Sequence, residues 1–357
     1  MTKKVLHIVG TRPQYIKLFP LWSKFNETEL IEQKIYDTGQ HYDKHMSKNL
    51  LDDFGIANVV TGDIAGLGPE KQIPLMIENI WSQLSKDKPD YVVIYGDTNT
   101  TLAASMVCAK LEIPFGHVEA GVRTLPHVGI QEGINRKATD HMATHNFCIT
   151  EEDRQNLIDE GLCESYNLLV GDIMFDTFHK IKASQKIEPN RRSRILVTIH
   201  RAEHVDKPEI RMLLLETLIE LSKSIEVILP MHPRLRSKIS TSELASLQAA
   251  NIEVREPLSY KEIVKELNTV SGVVTDSGGL PKDAAYAGLR SIVLRDDPVF
   301  KDLYERSYFH PVYELENKRP KELASFCLDK LSELPEPYVL EYASDKIALV
   351  VKEFLGV

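Results

Sequence analysis

The sequence predicts an α/β protein of two doubly wound domains, each built on a parallel sheet, facing one another across a cleft. Three observations predict it. Strand-like runs such as "VLHIV", "YVVIYGD", "RILVTIH" and "GVVTD" alternate with amphipathic helical stretches from end to end. Each run is apolar without strict alternation, as strands covered on both faces are. At 357 residues the chain exceeds one compact core and suits two domains of ordinary size.

The first domain opens with "VLHIVGTRPQYIK". Apolar and β-branched residues from Val5 make a buried strand, Gly10 breaks it, and a helix resumes behind Pro13, a residue suited to a first helical turn. The glycine pattern of a dinucleotide site is missing. Arg12 stands where backbone would approach a phosphate, and a guanidinium there can grip one bidentately. Lys17 follows over one turn further along. "YVVIYGD" then precedes the helical "TLAASMVCAKL", and "IPFGHVEA" comes next. The series closes near "NLLVGDIMFD", after which the sequence turns polar. This places the domains at 1–170, joined by a C-terminal helix at 342–357, and at 171–341. Ligands of doubly wound sheets bind outside the carboxyl ends of the strands, and the candidate residues all fall at such ends.

Composition narrows the function. Hydrophobic residues at 43% and charged residues at 27% are a soluble, globular balance. A formal net charge of −9 argues against nucleic acid as the partner, because a phosphate backbone needs a net basic face. It leaves room for one small phosphorylated ligand. Cys108, Cys148, Cys163 and Cys327 fall at no metal-ligand spacing and read as reduced thiols. There is no signal-peptide pattern and no apolar run of membrane-spanning length, so a cytoplasmic protein is expected.

In "TDSGGLPKDAAYAG" a strand ends in Asp276, two glycines follow, and Pro281 lies in the opening turn of a helix. Ser277, Gly278 and Gly279 form either a plain tight turn or an anion site, where free N–H groups and the positive helix end meet a diphosphate. The strand before and the helix after favour the anion site. Asp97 in "VVIYGDTNTT" either caps the next helix or enters the site. Glu119 in "GHVEAGVRT" is either buried against a cation such as Arg123 or held for proton transfer. Glu132 in "IQEGINR" has Arg136 at i+4, the spacing of a surface ion pair. Three carboxylates in one cleft can divide acid and base roles. His200, Glu203 and His204 spell H-x-x-E-H, but zinc chemistry needs both histidines on one helix face, and His200 closes a strand. His200 is therefore expected to work on substrate. His232 also follows a strand, with a structural and a functional reading both open.

In combination, "GTRPQYIK", "TGQHYD", "GDTNTT", "HVEAGVRT", "QEGINR", "HRAE" and "TDSGGLPKDA" resemble, in order and over almost the whole chain, the non-hydrolysing UDP-N-acetylglucosamine 2-epimerases. "TGQHYD", "GDTNTT" and "HRAE" are especially similar to the branch acting on UDP-2,3-diacetamido-2,3-dideoxy-glucuronate. The resemblance implies two Rossmann-like domains in the GT-B-like arrangement shared with a large class of glycosyltransferases, a homodimer, and an isomerase supplying surface-polysaccharide precursors. It implies catalytic Asp97, Glu119, Glu132 and His200. The implied substrate contacts are Arg12, Lys17, His41, Arg136, Ser277, Gly278 and Gly279. Asp283 falls where the family usually has a glutamate on the ribose. The implied chemistry eliminates UDP to a 2-acetamidoglycal and adds it back, with neither metal nor NAD.

Departures from the family pattern are local. Gly133 replaces the second of paired glutamates, which in some members contributes to a regulatory UDP-GlcNAc site. Phe300 replaces an arginine that usually contacts substrate, and Ile263 stands at an often aromatic position beside the retained Pro257 and Tyr260. A hydrolysing epimerase, a glycosyltransferase of the same architecture and a nucleotide-sugar-binding regulator are the competing readings.

Overall fold

The computed structural model describes residues 2–40, 51, 54–56, 59–62, 64, 66–123, 130–186, 193–295 and 301–357. Their strands form two parallel sheets. The first contains β1 (Lys3–Val9), β2 (Ile31–Asp37), β3 (Val59–Thr61), β4 (Tyr91–Tyr95), β5 (Phe115–Ala120), β6 (His145–Cys148) and β7 (Asn167–Leu169), in the order β3-β2-β1-β4-β5-β6-β7. The second contains β8 (Arg194–Thr198), β9 (Glu226–Pro230), β10 (Glu253–Arg255), β11 (Gly272–Thr275), β12 (Ser291–Val293) and β13 (Phe309–Pro311), in the order β10-β9-β8-β11-β12-β13. Both orders wind outward in one direction, return to the centre, and wind outward in the other. The return falls between β1 and β4 in the first sheet and between β8 and β11 in the second.

Burial on both faces explains the apolar runs. In β1, Val5 and Val9 pack with Leu18, Leu21 and Phe25 of the helix Arg12–Phe25, whereas Leu6 and Ile8 pack with Met76, Ile80 and Val107 on the opposite side. Successive side chains leave a strand on opposite faces, so a strand sandwiched between helices has no position to spare for solvent. Residues 91–95 of β4 are all buried for the same reason.

The chain divides into two compact units, Met1–Thr177 with Leu340–Val357, and Phe178–Val339. The C-terminal helix Ala343–Leu355 belongs to the first because Ile347, Ala348 and Val351 are buried in its core. Burying Ile347 and Val351 contributes about 1.5–3 kcal/mol each. The first crossing lies within the helix Ile173–Ser184, later than the residue 170 boundary suggested by composition. Local hydrogen bonds account for this. Thr177 Oγ1 donates to the Ile16 carbonyl at 2.8 Å, and Asp176 accepts from the Ala343 and Ser344 amides at 3.0 and 2.7 Å.

Asp176 has no exposed surface, and burial pushes its pKa up to about 6 despite those amides. Its native carboxyl keeps a proton that the unfolded chain releases near 3.8, so its contribution to stability falls as pH rises between those values. Asp176→Asn removes that dependence. The parent-minus-variant unfolding free energy, measured in urea, should fall by on the order of 3 kcal/mol across the window. A difference that stays level from one end to the other would refute the assignment.

Candidate functional site

Each unit presents polar residues at its own reversal point. In the first, the spacing of Thr11 and Gln14 sets a capping box at the start of the helix Arg12–Phe25. Gln14 Oε1 accepts from the Gly10 and Thr11 amides at 2.8 and 3.1 Å. Its amide nitrogen faces the Tyr95 carbonyl at 2.8 Å and the Thr98 and Thr101 hydroxyls at 3.0 and 3.1 Å. One buried side chain thus ties the turn after β1 to the turn after β4. Thr100 extends the stitching to the turn after β2 through Thr38 at 2.7 Å and Gln40 at 2.8 Å. Gly10 fits because any Cβ there would strike the Thr38 and Thr100 hydroxyls.

Arg12 is half-buried on the first turn of that helix, and burial draws its pKa below the ordinary arginine value. Lys17, one turn on, bonds the Glu119 carboxylate, and both side chains are largely buried. Glu119 has φ +71°, rare for a residue with a side chain, and the β5–β6 register shifts between Val118 and Ala120. Such a bulge re-aims a side chain, and holding this backbone costs about 1–3 kcal/mol.

Asp97 follows Gly96, whose φ is +66°. Thr98, not Asp97, caps the helix Asn99–Lys110. The Asp97 carboxylate is free to pair with Arg136 instead, while Asn135 Nδ2 donates to the Asp97 carbonyl at 3.0 Å. Two of the pairings left open by the sequence are excluded here. Arg136 is drawn into this tertiary pair, not the i+4 pair with Glu132, because it is buried while Glu132 is exposed one turn earlier on the helix Ile130–Met142. Arg123 does not serve Glu119. It grips Glu160 at 2.7 and 2.9 Å and Asp140 at 2.8 Å, because the left-handed turn at Gly121 packs against Asp153 and carries the chain away.

In the second unit Asp276 is the organiser. One carboxylate oxygen lies 2.8 Å from His200 Nδ1; the other accepts from the His200 and Arg201 amides at 2.8 Å each and lies 3.1 Å from His204 Nδ1. Burial alone would raise its pKa, but the His200 and His204 contacts outweigh that and hold it well below the usual carboxylate range. With Nδ1 turned to Asp276, His200 keeps Nε2 for other partners, an arrangement that fixes the imidazole for acid–base work. The short helix Ala202–Val205 begins after His200, so the two histidines share a carboxylate, not a helix face. His232 Nδ1 accepts from the Arg234 amide at 3.1 Å and caps the helix Pro233–Lys238, its ring centroid 5.3 Å from that of His200.

Ser277, Gly278 and Gly279 join β11 to the helix Leu280–Tyr286, with the Ser277 amide donating to Thr275 Oγ1 at 2.9 Å. Neither glycine has a positive φ. Among the described residues, a Cβ on Gly279 would meet nothing within 4 Å, and one on Gly278 only Arg295 at 3.8 Å. Neither backbone conformation nor the described neighbouring atoms require glycine here. Asp283 is buried and accepts from the Tyr260 hydroxyl at 2.8 Å. His41 and Phe300 lie outside the described residues. Among those described, no group of three or more His, Cys, Asp or Glu is placed to hold a metal, and no helix is long and apolar enough to cross a membrane. Gln14, Asn135 and Asp276 were not singled out as site residues in the sequence. The Thr11–Gln14 spacing announces a cap, but nothing local announces partners on other strands.

Two doubly wound sheets in this order, each with polar and ionisable groups at its reversal point, define an α/β protein of GT-B-like fold. A profile of the UDP-N-acetylglucosamine 2-epimerase family matches residues 23–352. The UDP-N-acetylglucosamine 2-epimerase of Methanocaldococcus jannaschii is 34% identical, covering 82% of this chain and 84% of its own. The UDP-2,3-diacetamido-2,3-dideoxy-D-glucuronate 2-epimerase of Pseudomonas aeruginosa is also 34% identical, covering 84% and 85%. A crystal structure of the M. jannaschii enzyme in complex with UDP-GlcNAc and UDP superposes with a TM-score of 0.82 at 29% identity, over 98% of this chain and 99% of that one. The chain belongs to the UDP-N-acetylglucosamine 2-epimerase family and is an isomerase of that family.

The glycines separate by what holds them. Gly96→Ala forces a positive φ and brings its Cβ to 3.2 Å from Lys17 Nζ, and should lose about 1–2 kcal/mol of unfolding free energy. Gly279→Ala should stay within about 0.5 kcal/mol of the parent. Urea denaturation of both variants checks the contrast, and equal losses would refute it.

Proposed function

We propose that the chain is a non-hydrolysing 2-epimerase of a UDP-N-acetylhexosamine, of the UDP-GlcNAc to UDP-ManNAc type. The observation that carries this reading is the pairing at the first reversal point. Two carboxylates, Glu119 and Asp97, each meet a cation, Lys17 and Arg136 respectively. Inverting C2 by simple deprotonation is hard, since no neighbouring carbonyl stabilises a carbanion. Breaking the C1–oxygen bond as C2 loses its proton avoids the problem. The bonding pair of C1–O leaves with the diphosphate, the C2–H pair forms the C1–C2 double bond, and the proton passes to an enzyme base. Re-addition of UDP at C1, with proton delivery to the other face of C2, completes the inversion.

The protein must then supply acid–base groups and stabilise the departing diphosphate. In this reading Asp97, Glu119, Glu132 and His200 serve the first need. Arg12, Lys17, Arg136 and the Ser277–Gly279 turn serve the second, and Asp283 reaches toward the ribose. Glycines that the described surroundings do not require support a turn kept open for phosphate. A second reading, the same chemistry on UDP-2,3-diacetamido-2,3-dideoxy-glucuronate, is supported by the equal identity to the P. aeruginosa relative.

Incubation in deuterated water with each of the two nucleotide sugars tests both readings. Deuterium should enter C2 of the preferred sugar while phosphorus NMR shows the nucleotide still attached; stoichiometric free UDP, or no exchange with either sugar, would overturn the proposal. Glu119→Gln and Glu132→Gln should each bind UDP normally and lose about 10²–10⁴-fold in turnover. Parental rates in both would remove these assignments. By calorimetry, Gly279→Ala should bind UDP at least about tenfold more weakly, a loss of about 1.4 kcal/mol, with unchanged affinity speaking against the phosphate turn.

A further inference from the structure

A second layer lies beneath the first reversal point. His117, two residues before Glu119 on β5, and Asp140, on the helix Ile130–Met142, have no exposed surface. His117 Nε2 lies 2.6 Å from the Gly96 carbonyl, which can only accept, so that nitrogen carries a hydrogen. Nδ1 lies 2.7 Å from Asp140 Oδ1. The other Asp140 oxygen accepts from the Gly121 amide at 3.3 Å and from Arg123 at 2.8 Å. Asp140 therefore holds the backbone on both sides of the strained Glu119, through His117 before it and Gly121 after it. Through the same ring it reaches Gly96, whose own amide donates to the Val118 carbonyl at 2.9 Å. Gly96 is clamped to β5 by both its polar atoms, and Asp97 is the next residue.

We propose that the buried Asp140–His117 pair is a positioning device that sets the distance between two of the carboxylates of the reaction, Glu119 and Asp97. Neither member touches substrate. The pair fixes the Glu119 bulge against the Gly96–Asp97 turn, so the two groups approach the sugar at a constant separation. Strain at Glu119 makes such a brace necessary, because a left-handed residue relaxes unless its surroundings over-determine it.

This inference rests on the epimerase reading, and the test separates them. His117→Phe removes both contacts, while His117→Gln can still present an amide N–H to the Gly96 carbonyl. His117→Phe should lower kcat about a hundredfold, the scale of an ångström's misplacement, with KM and UDP affinity within about threefold, and His117→Gln should recover most of the loss. In the Asp97→Asn background His117→Phe should cost little more, because residues acting as one unit are non-additive. A parental kcat for His117→Phe, a loss confined to KM, or full additivity with Asp97→Asn would overturn the proposal. Nitrogen-15 NMR of the ring in the parent protein needs no variant to fold. It should show Nε2 bearing hydrogen, and a bare Nε2 would overturn the clamp. A parent that does not epimerise would count against the functional reading instead, leaving this spectrum to decide the geometry.

Discussion

A parallel sheet that winds both ways from its centre must have one place where two neighbouring strands send their connections to opposite faces. No crossover covers the carboxyl ends there. The organisation of this protein follows from that constraint, met twice. Arg12 and Asp97 follow β1 and β4; His200 and Ser277 follow β8 and β11. The helices that bury both faces of each sheet supply the stability, and the two uncovered ends are left for polar chemistry.

Polar groups at such an end need partners, and the protein supplies them from distant elements. Gln14 joins the turns after β1 and β4, Asp276 gathers three residues that follow β8 (His200, Arg201 and His204), and Asp140 braces β5 on either side of Glu119. These are buried side chains whose hydrogen-bonding capacity is used across strands. Polar networks of this kind rigidify a site. Lys17 and Arg136 differ: each pairs with a carboxylate that the proposed chemistry also uses.

Much of this is legible in the sequence. Apolar runs without alternation required strands buried on both faces, and β1 and β4 show the packing that demands it. The ordered motifs identified the family, and the polar residues after each strand named most candidates. Alternatives left open in the sequence closed where a neighbour in sequence is not a neighbour in space. Glu132 and Arg136 satisfy i+4 spacing, yet Arg136 is buried toward Asp97; Arg123 is close to Glu119 along the chain, yet Gly121 turns it toward Glu160. Hydrophobic periodicity records which face of an element is covered. It says nothing about which polar group waits on the covering element.

By itself the sequence determined the elements, their parallel arrangement and the chemistry-bearing residue types, because these depend on burial patterns and spacings within a dozen residues. Tertiary structure alone decided the pairings: Lys17 with Glu119, Arg136 with Asp97, His200 with Asp276, and His117 between Gly96 and Asp140. It also decided that Glu119 leaves the strand's regular ladder. The physical reason is range. A buried charge or amide is satisfied by whatever the fold brings within about 3 Å, and strand order, not chain order, determines what that is.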